Sequence, residues 1–390
     1  MTETSTTDPR IAAAIQKSLD LGEVGVQVAA YLGGEPIVDA WGGTADPVTG
    51  RMVNGDTLFC PFSVTKAITV TALHIQAERG LVDYDAPVAK YWPEFAVNGK
   101  ERATVRDALS HRAGIPHMPQ GVTPELMCNW GWMVEHVAAL MPTSTPGATN
   151  AYHALTFGWI IGEIVVRTDP KHRSFDRFVR EEICEPLGVH DFYFGLPDSE
   201  LSRFAPVLMD DDPVADKRPL AEAAMPLCVQ PSAAVANRPD VLRSCLPGQG
   251  SIMSARAGAR LFAMIANGGQ LDGVRLLSKQ RLLSLTEPRP DTDLPDETLG
   301  APVWVGIGGY RLGGAGPSTN PNARSALLAG TVGEHILCHG GAGGSFAWAD
   351  LDTGLAVSLC HNRMHGAWAT ENPLMPIADA IRAIVAEKLA

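Results

Sequence analysis

A serine and a lysine three positions apart, Ser63 and Lys66, combine the residue types that covalent catalysis needs. Positions i and i+3 of a helix share one face, so the Ser63 hydroxyl and the Lys66 amine come within hydrogen-bond reach there. A serine hydroxyl is a poor nucleophile until a neighbour takes its proton, and a desolvated lysine with a lowered pKa can do so. Residues 67–75 are mainly apolar, which would keep such a lysine away from water. The spacing therefore predicts a nucleophile with its base.

The segment that carries this pair has the features of a helix. Residues 63–79 follow Pro61, and Gly80 provides a natural stop. Upstream, residues 24–42 contain two β-rich runs with a glycine pair between them. That pattern predicts a β-hairpin close in sequence to the nucleophile helix.

The rest of the chain alternates between helical stretches and strands. Helices are predicted at about 104–112, 131–140, 151–168 and 254–267. Residues 205–250, which are rich in proline and alanine, are predicted to form a long surface excursion that walls the binding site. Strands are predicted at about 303–312, 334–339, 345–350 and 354–361, and a final helix at about 373–388.

Strands at both ends and helices between them predict one sheet built from both termini. We expect a single catalytic unit over residues 1–390. Its sheet regions would be about 1–62 and 254–390, and its mostly helical region about 80–250. The predicted fold class is α/β (α+β).

The surroundings of Ser63 and Lys66 carry a family resemblance. Ser63-x-x-Lys66 after the sequence FCPF resembles the first motif of the penicillin-recognising serine hydrolases. That superfamily contains class C β-lactamases, D-alanyl-D-alanine peptidases and family VIII carboxylesterases. Residues 80–93 and 104–114 resemble the segments that follow the nucleophile helix in these proteins. The resemblance implies a β-lactamase/transpeptidase-like fold, an antiparallel sheet flanked by helices with a mostly helical inserted region.

The second family motif, Tyr-x-Asn, corresponds to Tyr152-His153-Ala154. The resemblance implies that Tyr152 shares proton transfer with Lys66 and protonates the leaving group. A lysine cation nearby is expected to lower the pKa of the phenol. The asparagine that normally helps to hold a lactam or peptide amide is replaced by Ala154, which argues against those substrates.

The third motif, Lys-Thr-Gly in lactamases, corresponds to His339-Gly340-Gly341. The resemblance implies substrate binding by these three residues, with His339 donating a hydrogen bond into the site. It also implies an oxyanion hole made of the backbone N–H groups of Ser63 and Ala342. The missing lysine and threonine normally engage a substrate carboxylate, so their loss is a second argument against peptidase activity.

These features predict a serine carboxylesterase, closest to the family VIII enzymes, that hydrolyses small carboxylic esters through an acyl-enzyme on Ser63. An acyltransferase would use the same residues, because an alcohol or amine would then intercept the acyl-enzyme. A β-lactamase or D-alanyl peptidase is a third hypothesis. A non-catalytic sensor or scaffold is the fourth, although a scaffold has no need to keep Ser63, Lys66 and Tyr152 together.

Other candidate motifs are incomplete. Ser345 lies in a near match to G-x-S-x-G that ends in Ala347 and runs into a predicted strand, whereas the elbow needs a strand-to-helix turn. No G-x-G-x-x-G, P-loop, H-E-x-x-H or C-x-x-C spacing is present, so the sequence predicts neither an organic cofactor nor a metal. Four histidines are expected to be structural: His111, His117, His335 and His361.

Composition limits the partners. Acidic residues outnumber basic ones by 43 to 31, giving a formal net charge of −12, which argues against nucleic acid or an anionic membrane surface. The expected partner is a small-molecule ester or acyl substrate. The polar amino terminus and seven cysteines without paired spacing predict reduced thiols and a cytoplasmic location. No feature of the sequence predicts the oligomeric state.

Overall fold

The computed structural model describes residues 3–4, 8–313, 334–365 and 372–390. Parts of the predicted sheet regions 1–62 and 254–390 therefore lie outside the described residues. Within the described ranges the strands, numbered β1 to β12 in chain order, are Glu3–Thr4, Gly25–Leu32, Glu35–Asp46, Arg51–Met52, Phe192–Phe194, Ser251–Met253, Gln270–Leu271, Val274–Arg275, Arg311–Gly313, Ile336–Gly340, Phe346–Asp350 and Leu355–His361.

The described α-helices, numbered α1 to α13 in chain order, are Pro9–Asp20, Thr65–Glu78, Val105–Leu109, Pro124–Met127, Trp130–Ala139, Thr156–Thr168, Phe175–Val179, Pro219–Ala224, Ala233–Ala236, Pro239–Leu242, Ala255–Ala266, Lys279–Ser284 and Met375–Leu389. Short 3₁₀ segments occur at Phe62–Val64, Val88–Lys90, Pro93–Phe95 and Asp198–Arg203, and a π-helical turn at Arg180–Cys184.

The main sheet joins the two ends of the chain. Its strand order is β1-β3-β2-β12-β11-β10-β9, with β4 pairing to β3, and all these pairs are antiparallel. The central pairing is between β2 and β12, where Val28 lies opposite Leu359. The predicted hairpin of residues 24–42 and the predicted fold class are confirmed.

Helices cover both faces of this sheet. On one face α1 and α13 pack together, and their isoleucines join Phe346 and Trp348 of β11 in one apolar core. On the other face α11 packs on β2, β11 and β12, and Ala347 and Ala349 face the larger core that contains α2 and α6. The two-residue alternation of β11 therefore separates the two cores, as expected for a strand buried on both sides.

Several predicted elements differ from the structure. Only Arg311–Gly313 is a strand in the predicted 303–312 segment, because Gly309 has φ +85° and the N–H of Gly306 closes a turn onto the carbonyl of Tyr310 (2.8 Å). The helix predicted at 151–168 begins at Thr156. The 205–250 excursion contains the short helices α8 to α10, and the strand that follows it, β6, pairs with β5.

Among the residues that the structure describes, none forms a helix long and apolar enough to cross a membrane.

Candidate active site

Ser63 lies in a 3₁₀ turn that leads directly into α2. The residue before it, Phe62, has φ +48°, a left-handed conformation that is strained for a bulky side chain. Such a residue costs about 1–3 kcal/mol and persists where packing imposes it. The Phe62 side chain is only 4% exposed and packs against an apolar cluster that includes Leu58, Phe204 and Ile252. The strain therefore lies next to the predicted nucleophile and was not anticipated from the sequence.

Lys66 makes three polar contacts with its amine. Its Nζ lies 3.1 Å from Ser63 Oγ, 2.7 Å from the carbonyl oxygen of Ala154 and 2.6 Å from the carbonyl oxygen of Gly248. The predicted i, i+3 contact is therefore present. The two carbonyls come from segments about 90 and 180 positions away, so the spacing on α2 gave no indication of them.

Close backbone packing brings the Gly248 carbonyl to Lys66. A Cβ on Gly158 of α6 would collide with the backbone of Pro247 and Gly248. Thr69, one turn along α2 from Lys66, donates a hydrogen bond to the Pro247 carbonyl (2.6 Å). A glycine at position 158 is thus required for the 247–248 loop to lie between α2 and α6.

The Lys66 amine is fully buried, and this burial lowers its pKa to about 7. A charged amine loses hydration when it is buried, so the neutral form becomes accessible near neutral pH. Neutral Lys66 has two N–H donors and one lone pair. The two carbonyls can occupy the donors, which leaves the lone pair for the Ser63 hydroxyl proton.

Tyr152 lies beside this pair. Lys66 Nζ is 5.4 Å from the centroid of the Tyr152 ring. Burial raises the pKa of Tyr152 to about 12, and the nearby charge of Arg311 and the neighbouring Ser63 offset this rise only in part. The expectation that a lysine cation would lower this pKa is therefore wrong, because the loss of hydration outweighs the favourable neighbours.

Tyr152 is held in part by a buried ion pair that the sequence did not single out. Its backbone N–H donates to Asp296 Oδ1 (2.8 Å), and Asp296 forms a fully buried ion pair with Arg289 (2.9 Å). Its ring also packs on His111, with centroids 4.4 Å apart. Asp296 and Arg289 follow no recognisable motif, and only their burial as charged residues in the fold reveals their role.

His339, Gly340 and Gly341 form the end of β10 and the turn after it, and β10 packs against the 3₁₀ turn that carries Ser63. His339 Nδ1 lies 2.9 Å from the Gly340 carbonyl, which can only accept, so Nδ1 carries the proton. Burial, followed by the charges of Lys66 and Arg311, holds the pKa of His339 well below its usual range. In this tautomer its buried Nε2, which has no partner among the described residues, is an acceptor. Donation of a hydrogen bond to a substrate requires the other tautomer and stays a prediction.

The turn after β10 approaches the nucleophile closely. A Cβ on Gly341 would collide with the carbonyl of Pro61, two residues before Ser63. The backbone N–H groups of Ser63 and Ala342, which were predicted to form the oxyanion hole, donate to no acceptor among the described residues. Both residues are half-buried. These N–H groups are thus available to a bound substrate.

Ser345 is an alternative serine near the site. Its side chain is buried, and its Oγ accepts the backbone N–H of His361 (3.3 Å). It follows a turn and leads into β11, which agrees with the prediction that it does not form a nucleophile elbow.

The four histidines predicted to be structural differ from one another. His335 is hydrogen-bonded to Asp352 (2.9 Å) and His361 to Glu23 (2.9 Å). His111 Nε2 and His117 Nδ1 are buried without a partner among the described residues.

His361 also has a histidine neighbour, His365. The carboxylate of Glu23 and these two imidazoles therefore converge, and together they could hold a metal ion. The sequence did not reveal this group, because Glu23 lies at the opposite end of the chain.

Comparison with known proteins gives the family. The sequence matches the Beta-lactamase family over residues 11–380. Esterase/beta-lactamase LipL from Mycobacterium tuberculosis (strain ATCC 25618 / H37Rv) is 35% identical over 376 residues, which are 92% of this chain and 82% of LipL. A solved family VIII carboxylesterase is 29% identical, with a TM-score of 0.88 over 98% of this chain and 99% of that one. A penicillin-binding protein homologue from Caulobacter crescentus is 30% identical, with a TM-score of 0.84 over the same shares. The chain therefore belongs to the Beta-lactamase family.

Proposed function

We propose that this protein is a serine carboxylesterase that hydrolyses small carboxylic esters through an acyl-enzyme on Ser63. The observation that carries the proposal is the 3.1 Å contact between Ser63 Oγ and a buried Lys66 amine whose pKa is lowered to about 7. A base with a pKa near the working pH is the most effective at taking a proton in the transition state. We further propose that residues 1–390 act as one catalytic unit.

In the acylation step, Ser63 Oγ attacks the ester carbonyl carbon while its proton passes to the lone pair of Lys66 Nζ. The carbonyl oxygen becomes negative and accepts hydrogen bonds from the N–H groups of Ser63 and Ala342. Tyr152, which keeps its proton at neutral pH because its pKa is raised to about 12, donates that proton to the leaving alkoxide. Lys66 then passes the proton that it took from Ser63 to Tyr152. The alcohol departs, and the acyl group remains on Ser63.

Deacylation repeats these transfers with water as the nucleophile. Lys66 takes a proton from the water molecule as the water oxygen attacks the acyl carbon. The Ser63 oxygen then recovers a proton from Lys66 as the acid is released. An alcohol in place of water would give acyl transfer by the same steps. Both reactions thus use one group of residues, and the products distinguish them.

Two features favour esters over lactams and peptides. Position 154 supplies its backbone carbonyl to Lys66, while its methyl side chain packs in the core and offers no amide to a substrate. His339 presents an acceptor at Nε2, and a substrate carboxylate also has only acceptors when it is ionised. The names of the relatives agree with this preference, since LipL is called an esterase/beta-lactamase and a close structure is a family VIII carboxylesterase.

The test is hydrolysis of p-nitrophenyl butyrate and of a chromogenic cephalosporin by wild type and Ser63→Ala. We expect ester turnover that falls at least about 10³-fold in the variant, with little cephalosporin cleavage. A fluorophosphonate probe should label the peptide that contains Ser63. Including ethanol in the reaction and measuring ethyl butyrate separates acyl transfer from hydrolysis.

The matched control is Ser345→Ala, which removes the alternative serine and should keep ester turnover within about tenfold of wild type. Full ester activity in Ser63→Ala would disprove the nucleophile assignment. Cephalosporin turnover faster than ester turnover would replace the esterase proposal with a β-lactamase. Absence of both activities together with an unlabelled Ser63 would favour a non-catalytic protein.

A further inference from the structure

The carboxylate of Glu23 and the imidazoles of His361 and His365 meet next to the turn of residues 341–345. His361 Nδ1 lies 2.9 Å and 3.1 Å from the two carboxylate oxygens of Glu23, and His365 Nε2 lies 2.9 Å from one of them. One ligand atom from each residue can be chosen so that all lie within 4.8 Å of one another. The two rings are nearly parallel, with an interplanar angle of 10°.

The main sheet positions this group. Glu23 lies two residues before β2, and His361 is the last residue of β12, where it pairs with Val26 of β2. His365 follows four residues later and is anchored by its backbone N–H, which donates to the Gly343 carbonyl (3.2 Å). Two of the three side chains are therefore fixed by the central strand pair, the kind of rigid support that a metal site needs.

The group is sheltered from water but reachable. The side chain of Glu23 is 0% exposed and that of His361 3% exposed, whereas that of His365 is 17% exposed. Burial alone would raise the pKa of Glu23, but the charge of His361 and the hydrogen bonds from both histidines lower it to about 2. Both histidine rings thus point a nitrogen at this carboxylate, and the three side chains already converge on one point. The nearby Arg363 is paired with the Gly22 carbonyl and with Asp210.

The spacing of these atoms suits a small divalent ion. Zn²⁺ binds imidazole nitrogen and carboxylate oxygen at about 2.0–2.2 Å, so two ligands of a tetrahedral site are about 3.3 Å apart. The observed oxygen–nitrogen separations of 2.9 and 3.1 Å lie within a few tenths of an ångström of that value. An ion would replace the two ring protons that now bridge the nitrogens to the carboxylate.

We propose that Glu23, His361 and His365 form a binding site for one divalent transition-metal ion, with Zn²⁺ the ion that best fits the donors. Two imidazoles and one carboxylate favour Zn²⁺ over Mg²⁺ and Ca²⁺, which prefer oxygen ligands. Three protein ligands leave a fourth position for water. The site is separate from the Ser63 chemistry, and the proposal does not depend on ester hydrolysis.

A metal ion bound at this site would also affect the turn that carries Ala342, because His361 contacts that turn. A Cβ on Gly344 would lie 3.1 Å from His361 Nε2, and the His361 N–H donates to Ser345 Oγ (3.3 Å). The other end of the same turn, at Gly341, packs on Pro61. A metal that fixes His361 and His365 would therefore stabilise this turn at its Gly344 end.

The test uses tag-free protein that has been stripped with a chelator and then titrated with ZnCl₂. We expect one Zn²⁺ retained per chain after gel filtration, and a rise in Tm of about 3–5 °C when free Zn²⁺ is about 100 times Kd. MgCl₂ at the same concentration should leave the Tm unchanged. Co²⁺ should give the visible absorption of a tetrahedral nitrogen- and oxygen-ligated ion.

The deciding variant is His365→Gln, which changes the most exposed ligand and therefore least endangers folding. It should lose at least 90% of the retained Zn²⁺ and the Tm shift. The matched control is His335→Gln, which breaks the exposed His335–Asp352 pair and should retain Zn²⁺ like wild type. No retained Zn²⁺ in wild type would overturn the proposal, as would equal retention in His365→Gln. In either case the group is only a carboxylate with two hydrogen-bonded histidines.

Discussion

The protonation state of Lys66 controls whether Ser63 is a nucleophile. A charged Lys66 would donate to Ser63 Oγ and to both carbonyls, and would have no lone pair for the serine proton. Burial brings the neutral form within reach of neutral pH by lowering the pKa of Lys66 to about 7. The same three contacts therefore hold an inactive base at low pH and an active one at higher pH.

We predict that kcat/KM for an ester rises about tenfold per pH unit below pH 7 and levels off above it, because activity follows the neutral fraction of Lys66. Lys66→Arg should lower kcat/KM by about 10²–10⁴-fold, since arginine stays protonated. The control is Lys100→Arg, another buried lysine that donates to backbone carbonyls, which should retain activity per folded molecule. A flat profile from pH 5.5 to 8 would contradict the assignment of Lys66 as the base.

Tyr152 is predicted to act as a proton donor and not as a phenolate. Tyr152→Phe keeps the ring that packs on His111 and removes the hydroxyl, so the protein should fold while kcat falls about 10²–10⁴-fold. Esters with a good leaving group, such as p-nitrophenol, need less protonation and should lose less activity than alkyl esters. Equal losses for p-nitrophenyl and alkyl esters would argue that Tyr152 serves another step.

Helices α2 and α6 and the 247–248 loop form the frame around the base. Glycine at position 158 permits the loop backbone to touch α6, and the Thr69 side chain ties the loop to α2. In this arrangement the carbonyl at position 248 accepts a hydrogen bond from Lys66 (2.6 Å). The geometry of the catalytic pair thus depends on packing between elements that are far apart in the sequence.

We predict that Gly158→Ala destabilises the protein by about 1–3 kcal/mol, because the added methyl overlaps loop backbone that cannot rotate away. It should also lower kcat by displacing the Gly248 carbonyl. Gly131→Ala is the matched control in α5, where a Cβ meets only ordinary contacts, and it should be neutral or slightly stabilising. Chemical unfolding and ester kinetics on both variants provide the comparison, and equal stability of the two would refute the packing argument.

The fold as a whole depends on joining its two ends. Strand β2 near the amino terminus pairs with β12 near the carboxyl terminus, and α1 packs on α13. The group of Glu23, His361 and His365 sits at the end of this strand pair. We therefore expect the interactions of Glu23 with the two histidines to contribute to the stability of this closed sheet.

We predict that Glu23→Gln, measured in EDTA, lowers the free energy of unfolding at neutral pH by about 1–3 kcal/mol, because it removes an ionised acceptor from two buried hydrogen bonds. The folded pKa of Glu23 is about 2, below its ordinary value of 4.5, so its contribution is fully present above pH 4.5 and is lost as pH falls through about 2. The difference between variant and wild type should therefore shrink as pH falls from 4.5 towards 2. A difference that stays constant over this range would show that the loss comes from packing.

The amino-acid sequence alone was enough to predict the local features of the fold and of the site. The i, i+3 spacing placed Ser63 beside Lys66, Gly80 ended the helix, and the alternating runs in residues 24–42 formed the hairpin. These succeed because helix and hairpin geometry depend on neighbours within a few positions. The motif positions of Tyr152 and His339 also lie near Ser63, as the family resemblance implied, although their roles stay predictions.

Tertiary packing decided the electrostatics. The pKa of Lys66 and that of Tyr152 follow from burial, and the sequence argument gave the wrong direction for Tyr152. The acceptor state of His339 follows from one hydrogen bond to Gly340 that no spacing encodes. Glu23 meets His361 across 338 positions of sequence. Desolvation and long-range contacts depend on the whole fold, because they are set by every segment that excludes water from a group, and local sequence carries no record of those segments.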